Sequence, residues 1–238
     1  MTAGTADRLL GGRVVFSQAA DGYRAAIDPV LLAAAAGAPR RALDLGCGAG
    51  AALLCLLARV PGAEAVGIER DPAMADFARA NITANGFGAR ARVIANDIAT
   101  FAETGFDLVM ANPPYLDAAR ADPSPHPGKR AADIEDTPLA AWIAAAAKAA
   151  SPKGRILFVH RADRLVDLLT AMAGLGEIVV LPLWPRAGQA AKRVIVRARV
   201  GSKTPLVLAP GLVLHGTGGE FTPETEAILR DGAELPLL

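Results

Sequence analysis

Asp44-Leu45-Gly46-Cys47-Gly48-Ala49-Gly50 is the stretch on which the reading of this chain turns. It follows a β-prone run at 41–45. It precedes Leu53, Leu54, Leu56 and Leu57, whose spacing is helical until Pro61 and Gly62 stop it. Three glycines between a strand and a helix mark a backbone that turns tightly and lets a ligand approach closely.

Working outward, short apolar runs rich in β-branched residues alternate with helical patterns along the whole chain. Strands are predicted at 41–45, 64–69, 91–95, 106–111, 154–160, 177–183 and 192–200. Asp71-Pro72 reads as an N-cap followed by a first-turn proline, and Thr137-Pro138 reads the same way ahead of a helix that ends at Ser151-Pro152. The pattern predicts an α/β fold with a seven-stranded, mostly parallel, doubly wound sheet of the Rossmann-like kind. A single domain over 1–238 is expected, with a core at 41–200 and extensions at 1–40 and 201–238. The segment 116–136 lacks periodicity and holds Pro123, Pro125, Pro127 and Gly128 beside Lys129 and Arg130. A loop of that length inside a compact domain is expected to be functional.

The bulk composition narrows the classes. The 238 residues are 52% hydrophobic and 21% charged, a globular balance far from disorder. No apolar run approaches the roughly 20 residues of a spanning helix: 30–36 is too short, and Lys148 interrupts the alanine-rich stretch after Trp142. Asp7 and Arg8 precede a mere Leu9-Leu10 pair, so no leader is expected and the protein is read as cytoplasmic. Cys47 and Cys55 lack metal or redox spacing and read as small buried side chains. His126, His160 and His215 are scattered, so no metal site is expected. Net charge is +1, yet Arg186, Lys192, Arg193, Arg197, Arg199 and Lys203 fall in a window free of acids. That window is either an electrostatic footprint for phosphates or a set of solvated strand-edge charges.

The glycine loop alone leaves two chemistries open. Gly46, Gly48 and Ala51 satisfy the dinucleotide pattern G-x-G-x-x-G/A, and Glu69 falls where a ribose-binding acid belongs. The next motif separates them. The fourth predicted strand ends in Asn112-Pro113-Pro114-Tyr115, which no hydride transfer requires. Asp-x-Gly-x-Gly-x-Gly followed at this separation by Asn-Pro-Pro-Tyr resembles the class I amino-methyltransferases. The glycine loop, Glu69, Asp97 and Asn112 all fall at the carboxyl ends of predicted parallel strands, where open α/β sheets bind ligands.

The resemblance implies S-adenosylmethionine as cofactor. Asp44 would then lie near its positively charged methionine end, Gly46, Gly48 and Gly50 would let it approach the backbone, Glu69 would accept both ribose hydroxyls, and Asp97 would accept from the adenine amino group beside Ile98. The attacking nitrogen of an aromatic amine is a poor nucleophile, because its lone pair is delocalised into the ring. The side-chain oxygen of Asn112 and the Pro113 carbonyl can each accept one N–H, which holds the amine and stabilises the charge that grows during attack. Pro113 and Pro114 stiffen that turn, and Tyr115 offers a face on which an extruded base stacks.

Phe16-Ser17-Gln18 leading to Ile27-Asp28-Pro29-Val30-Leu31-Leu32-Ala33 is similar to the N-terminal segment of the bacterial valine-tRNA adenine-N6 methyltransferase family. Lys192-Arg193-Val194-Ile195-Val196 and Phe221-Thr222-Pro223-Glu224 extend that similarity over most of the chain. The chain departs from the family pattern at Pro29 and Leu116. Membership implies methylation of adenine N6 in tRNA, next to the anticodon. Asp28 would lie at the methionine end of the cofactor or in the acceptor pocket, unless it caps the helix that begins at Pro29. Gln18 carries a weaker expectation, Phe16 and Tyr23 read as core, and Lys129 and Arg130 are expected to grip RNA phosphates. The same motif serves ribosomal-RNA guanine-N2 and protein-glutamine N5 methyltransferases. A binding protein that had lost catalysis would show a broken glycine loop or a replaced Asn112, and both are intact.

Overall fold

A computed structural model describes residues 4–19, 27–117, 134–135 and 137–237. The chain opens with an antiparallel hairpin of β1 (Gly4–Leu9) and β2 (Val14–Ala19), followed by α1 (Asp28–Ala34). Strand and helix then alternate: β3 (Arg41–Leu45), α2 (Ala51–Arg59), β4 (Glu64–Glu69), α3 (Pro72–Ala84), β5 (Ala91–Ala95) and β6 (Phe106–Ala111). The short pair β7 (Leu116–Asp117) and β8 (Ile134–Glu135) leads to α4 (Leu139–Ala149), β9 (Ala150–Arg161), α5 (Leu165–Ala171), β10 (Gly176–Arg186) and β11 (Arg193–Arg199). The chain closes with β12 (Val207–Leu208), β13 (Leu212–His215) and the single turn α6 (Pro223–Glu226).

One sheet organises these elements, in the order β12-β10-β11-β9-β6-β3-β4-β5, with β13 also on β10. Strands β5, β4, β3, β6 and β9 run parallel, and β11 runs antiparallel to both of its neighbours. All seven expected strands are present. The sheet gains β12 and β13, both parallel to β10. They are two and four residues long and flanked by Pro205, Pro210 and Gly211, too short for any periodicity to announce.

Apolar side chains cover both sheet faces, as parallel strands require. Leu31, Leu32, Leu53, Leu54, Leu56 and Leu57, from α1 and α2, fill one side together with Phe16. Trp142, Ile143, Phe158 and Leu168, with α4 and α5, fill the other. Cys47 and Cys55 are both buried free thiols. Asp71 caps α3 as expected, accepting from the Ala73 amide at 2.8 Å behind a first-turn proline. At α4 the expectation shifts by one residue: Pro138 takes the cap position, with no side-chain bond, and Thr137 stands outside.

The hairpin was not legible as strands, and its attachment is specific. Asn85 Oδ1 accepts from the Val15 amide at 2.9 Å while its Nδ2 donates to the Val15 carbonyl at 2.7 Å. Asn81 repeats the pairing on Ser17, at 2.8 Å in both directions. Residues four apart on a helix and two apart on a strand both repeat at about 6–7 Å, so one carboxamide in the last turn of α3 and one at its C-cap stand in for a neighbouring strand. Buried Asn81 also donates to the carbonyl of Ala49 in the glycine loop, at 2.9 Å.

Candidate active site

The parallel strands β3, β4, β5 and β6 deliver their carboxyl ends to one rim, and the expected residues collect there. The loop after β3 holds Gly46, Gly48 and Gly50 at φ of 65°, 54° and 92°, all in the left-handed region that glycine adopts without strain. Two of these glycines serve different ends. A Cβ on Gly46 would lie 2.5 Å from the indole of Trp142, whereas one on Gly48 would meet nothing within 4 Å. Gly46 therefore lets the loop sit on α4, and Gly48 presents open backbone.

Glu69, at the end of β4, is bonded on both oxygens by main chain. Oε2 accepts from the Gly48 amide and Oε1 from the Asp71 amide, each at 2.9 Å. Each carboxylate oxygen retains a lone pair, so the group is oriented and still able to accept. Asp44 lies beneath the loop, 2% exposed, and its Oδ2 has no hydrogen-bond partner. Burial pushes its carboxyl up to about 8; a backbone bond at Leu53 pulls the other way and the charge of Glu69 adds to the rise. An orphaned buried carboxylate beside an open glycine turn fits a cationic group that is to be supplied by a ligand. Past β5, exposed Asp97 accepts from the Ala99 amide at 2.8 Å, while Ile98 is buried in the same apolar cluster as Phe101 and Phe106.

The turn after β6 reaches the most distant partners. The Tyr115 hydroxyl lies 2.6 Å from Asp28 Oδ2 and 2.7 Å from Asn112 Oδ1. Asp28 occupies the first position of α1 and Ile27 takes the N-cap, which corrects the capping reading. Its carboxylate instead takes the Arg193 Nε–H at 3.0 Å, and the Arg193 guanidinium lies 4.5 Å from the centre of the Tyr115 ring. Burial opposes the Arg193 charge, but Asp28 and Tyr115 together hold its pKa above its usual range. His160, at 0% exposure, stands nearly perpendicular to the Tyr115 ring at 5.4 Å, and neither ring nitrogen has a partner. Burial, with the charges of Arg164 and Arg193, pushes His160 down to about 4, so its ring is neutral at neutral pH.

Neither reading of the basic window fits as a whole. Strand β11 lies between β9 and β10, so its charges do not guard an edge. Arg197 and Arg199 pair with Glu177, and Arg193 pairs with Asp28. Arg186, Lys192 and Lys203 are exposed. Lys192 and Arg193 line a shallow hollow with Arg161, Ala162, Asp163 and Ala191. Phe16 is core, at 1% exposure, and buried Gln18 donates to Asp7 at 2.7 Å. Tyr23, Lys129, Arg130 and His126 lie outside the described residues. Among those described, no group of three or more potential metal ligands forms, and no helix is long and apolar enough to cross a membrane.

Comparison with known proteins now fixes the class. Residues 15–172 match the family described as methyltransferase small domain, and the chain belongs to that family. It is an S-adenosylmethionine-dependent methyltransferase. It is 32% identical over 223 residues to the tRNA1(Val) (adenine(37)-N6)-methyltransferase of Porphyromonas gingivalis, covering 84% of this chain and 85% of the relative. It is 28% identical over 188 residues to the protein of the same name from Aeromonas hydrophila, covering 77% of this chain and 78% of that one. A solved structure from Agrobacterium tumefaciens, described as a predicted O-methyltransferase, superimposes with a TM-score of 0.74 at 28% identity, over 88% of this chain and 98% of that one.

Proposed function

We propose that this enzyme methylates N6 of an adenine in tRNA, next to the anticodon. The observation that carries the reading is Asn112 at the carboxyl end of β6, with Tyr115 beside it and Asp28 and Arg193 behind. When bound, S-adenosylmethionine supplies an electrophilic methyl group. The orphaned Asp44 carboxylate would face the cationic methionine end, the turn at Gly48 would admit the ligand to the main chain, and Glu69 would receive the ribose hydroxyls with its remaining lone pairs. Asp97 would take the adenine amino group, with Ile98 behind it.

On the acceptor side the residues suit an amine. The oxygen of Asn112 and the Pro113 carbonyl would each take one N–H, drawing the lone pair out of the ring as the nitrogen attacks. Pro114 keeps the turn stiff, and the Tyr115 ring, backed by Arg193, would carry the extruded base. An alcohol acceptor would instead need a base to remove its proton. Buried His160 and ion-paired Asp28 are poor candidates for that work. The names of the two curated relatives support tRNA as the substrate. Lys129 and Arg130 remain proposed phosphate ligands.

The test is transfer from labelled S-adenosylmethionine to unmodified tRNA transcripts, followed by nucleoside mass spectrometry. N6-methyladenosine in one tRNA species is expected. Methylguanosine from ribosomal RNA, methylglutamine in protein, or no transfer at all would overturn the proposal.

A further inference from the structure

The Tyr115 hydroxyl has one hydrogen and two close oxygens: Asp28 Oδ2 at 2.6 Å and Asn112 Oδ1 at 2.7 Å. An ionised carboxylate and an amide oxygen are both acceptors, so only one of them can receive that hydrogen. Two arrangements satisfy these two contacts. In one, the hydroxyl donates to Asn112 Oδ1, and the amide turns its NH2 toward the acceptor pocket. In the other, the hydroxyl donates to Asp28, and the Asn112 amide makes a half-turn so that Nδ2 donates to the hydroxyl oxygen. The two forms of the amide have nearly the same shape, so the hydrogen-bond network chooses between them.

The surroundings choose the second. A hydrogen bond to an ionised acceptor is roughly twice as strong as one between neutral groups. Arg193 keeps Asp28 in place by its own bond at 3.0 Å and lies 4.5 Å from the centre of the Tyr115 ring. Asp28 is 6% exposed, so water competes poorly for it.

We infer that Asp28 and Arg193 are positioning residues which, through the Tyr115 hydroxyl, set the Asn112 amide with its oxygen toward the acceptor nitrogen. The inference rests on the reading of Asn112 as the acceptor of a substrate N–H. It explains why Asp28 of α1 and Arg193 of β11 converge on the tyrosine of the motif. It also gives the site a preference: an amide oxygen facing outward welcomes an amino group and repels a keto oxygen.

A double variant separates this from a general packing role. In Asp28→Ala the hydroxyl, no longer held by that carboxylate, donates to Asn112 Oδ1 and turns the amide the wrong way. The kcat with tRNA at saturating S-adenosylmethionine should fall about 10- to 100-fold, short of the 10²–10³ lost when a preorganised group is removed outright. Adding Tyr115→Phe removes the competing hydroxyl while keeping the ring. The double variant should therefore turn over faster than Asp28→Ala alone, with KM for tRNA within about threefold across the set. A double variant equal to or slower than Asp28→Ala overturns the inference, because a packing role predicts accumulating damage. If Asp28→Ala does not fold, Asp28→Asn serves: its neutral amide holds the hydroxyl no better than Asn112 does, so kcat falls, and Tyr115→Phe should lower it no further. A further fall overturns the inference equally. Failure of the unmodified enzyme to methylate tRNA adenine would sink the proposed function instead, so the two failures are distinct.

Discussion

The Gly48 amide donates to Glu69 Oε2 at 2.9 Å, joining the loop after β3 to the end of β4. The two pieces proposed to face the cofactor are therefore one rigid unit, further fixed by the bond from Asp71 to the other oxygen. Replacing Glu69 by Ala should act twice. Hydrogen bonds to charged groups are worth about 1.5–3 kcal/mol, so S-adenosylmethionine affinity measured by calorimetry should drop about ten- to a hundredfold. The protein without ligand should also lose about 1–3 kcal/mol in denaturant unfolding, because two backbone amides lose their partner. An unchanged affinity would mean that the ribose is held elsewhere.

Asp44 links binding to protons. Its carboxyl, raised from 3.8 to about 8, keeps a proton in the free protein across the acidic and neutral range. The sign follows directly. The folded state binds the proton more tightly than the unfolded chain, so this group stabilises the free protein most at low pH, and the contribution fades as pH rises toward 8. A cationic ligand needs the ionised form, so binding expels that proton. Affinity should rise with pH between about 5.5 and 7, by up to about tenfold per unit. Asp44→Asn should flatten the slope. Calorimetry in buffers of different ionisation enthalpy reads the released proton, and finding none released would refute the link.

Asn112→Ala removes the acceptor proposed to matter as charge builds on the attacking nitrogen. Turnover with tRNA should fall about 10²–10³, while S-adenosylmethionine binding and thermal stability hold. Tyr115→Ala should weaken tRNA binding as well, since stacking of a base contributes about 1–3 kcal/mol. Near-normal turnover by Asn112→Ala would reduce Asn-Pro-Pro-Tyr to a structural turn.

The exposed charges of Arg186 and Lys192 remain available to phosphates, unlike Arg193, Arg197 and Arg199. Neutralising both should lower the log–log salt dependence of tRNA binding by about one unit for each phosphate no longer engaged. A slope equal to that of the unaltered protein would clear this face of any role.

Much of the site is visible in the sequence because its pieces are local. A glycine loop, an acid closing one strand and an Asn-Pro-Pro-Tyr closing another each carry their own signal, and parallel topology brings strand ends to one rim. What stays hidden is pairing at a distance. Asp28 and Arg193 are 165 positions apart, and nothing in either neighbourhood names the other. The basic window misleads for the same reason: charge along a strand does not tell which strands flank it, and β11 lies between two others. Thr137 yields the cap to Pro138, a one-residue shift of the sort that helix ends allow.

On the hairpin, the paired carboxamides of Asn81 and Asn85 bond main-chain atoms of Val15 and Ser17. The grip is blind to side-chain identity at those two positions, so substitution there can accumulate without loosening the hairpin, provided the strand stays extended. The asparagines have no such freedom. Because Asn81 also holds the Ala49 carbonyl, an ancestor that lost it would have given up half of the grip on its hairpin and slackened its glycine loop in one step.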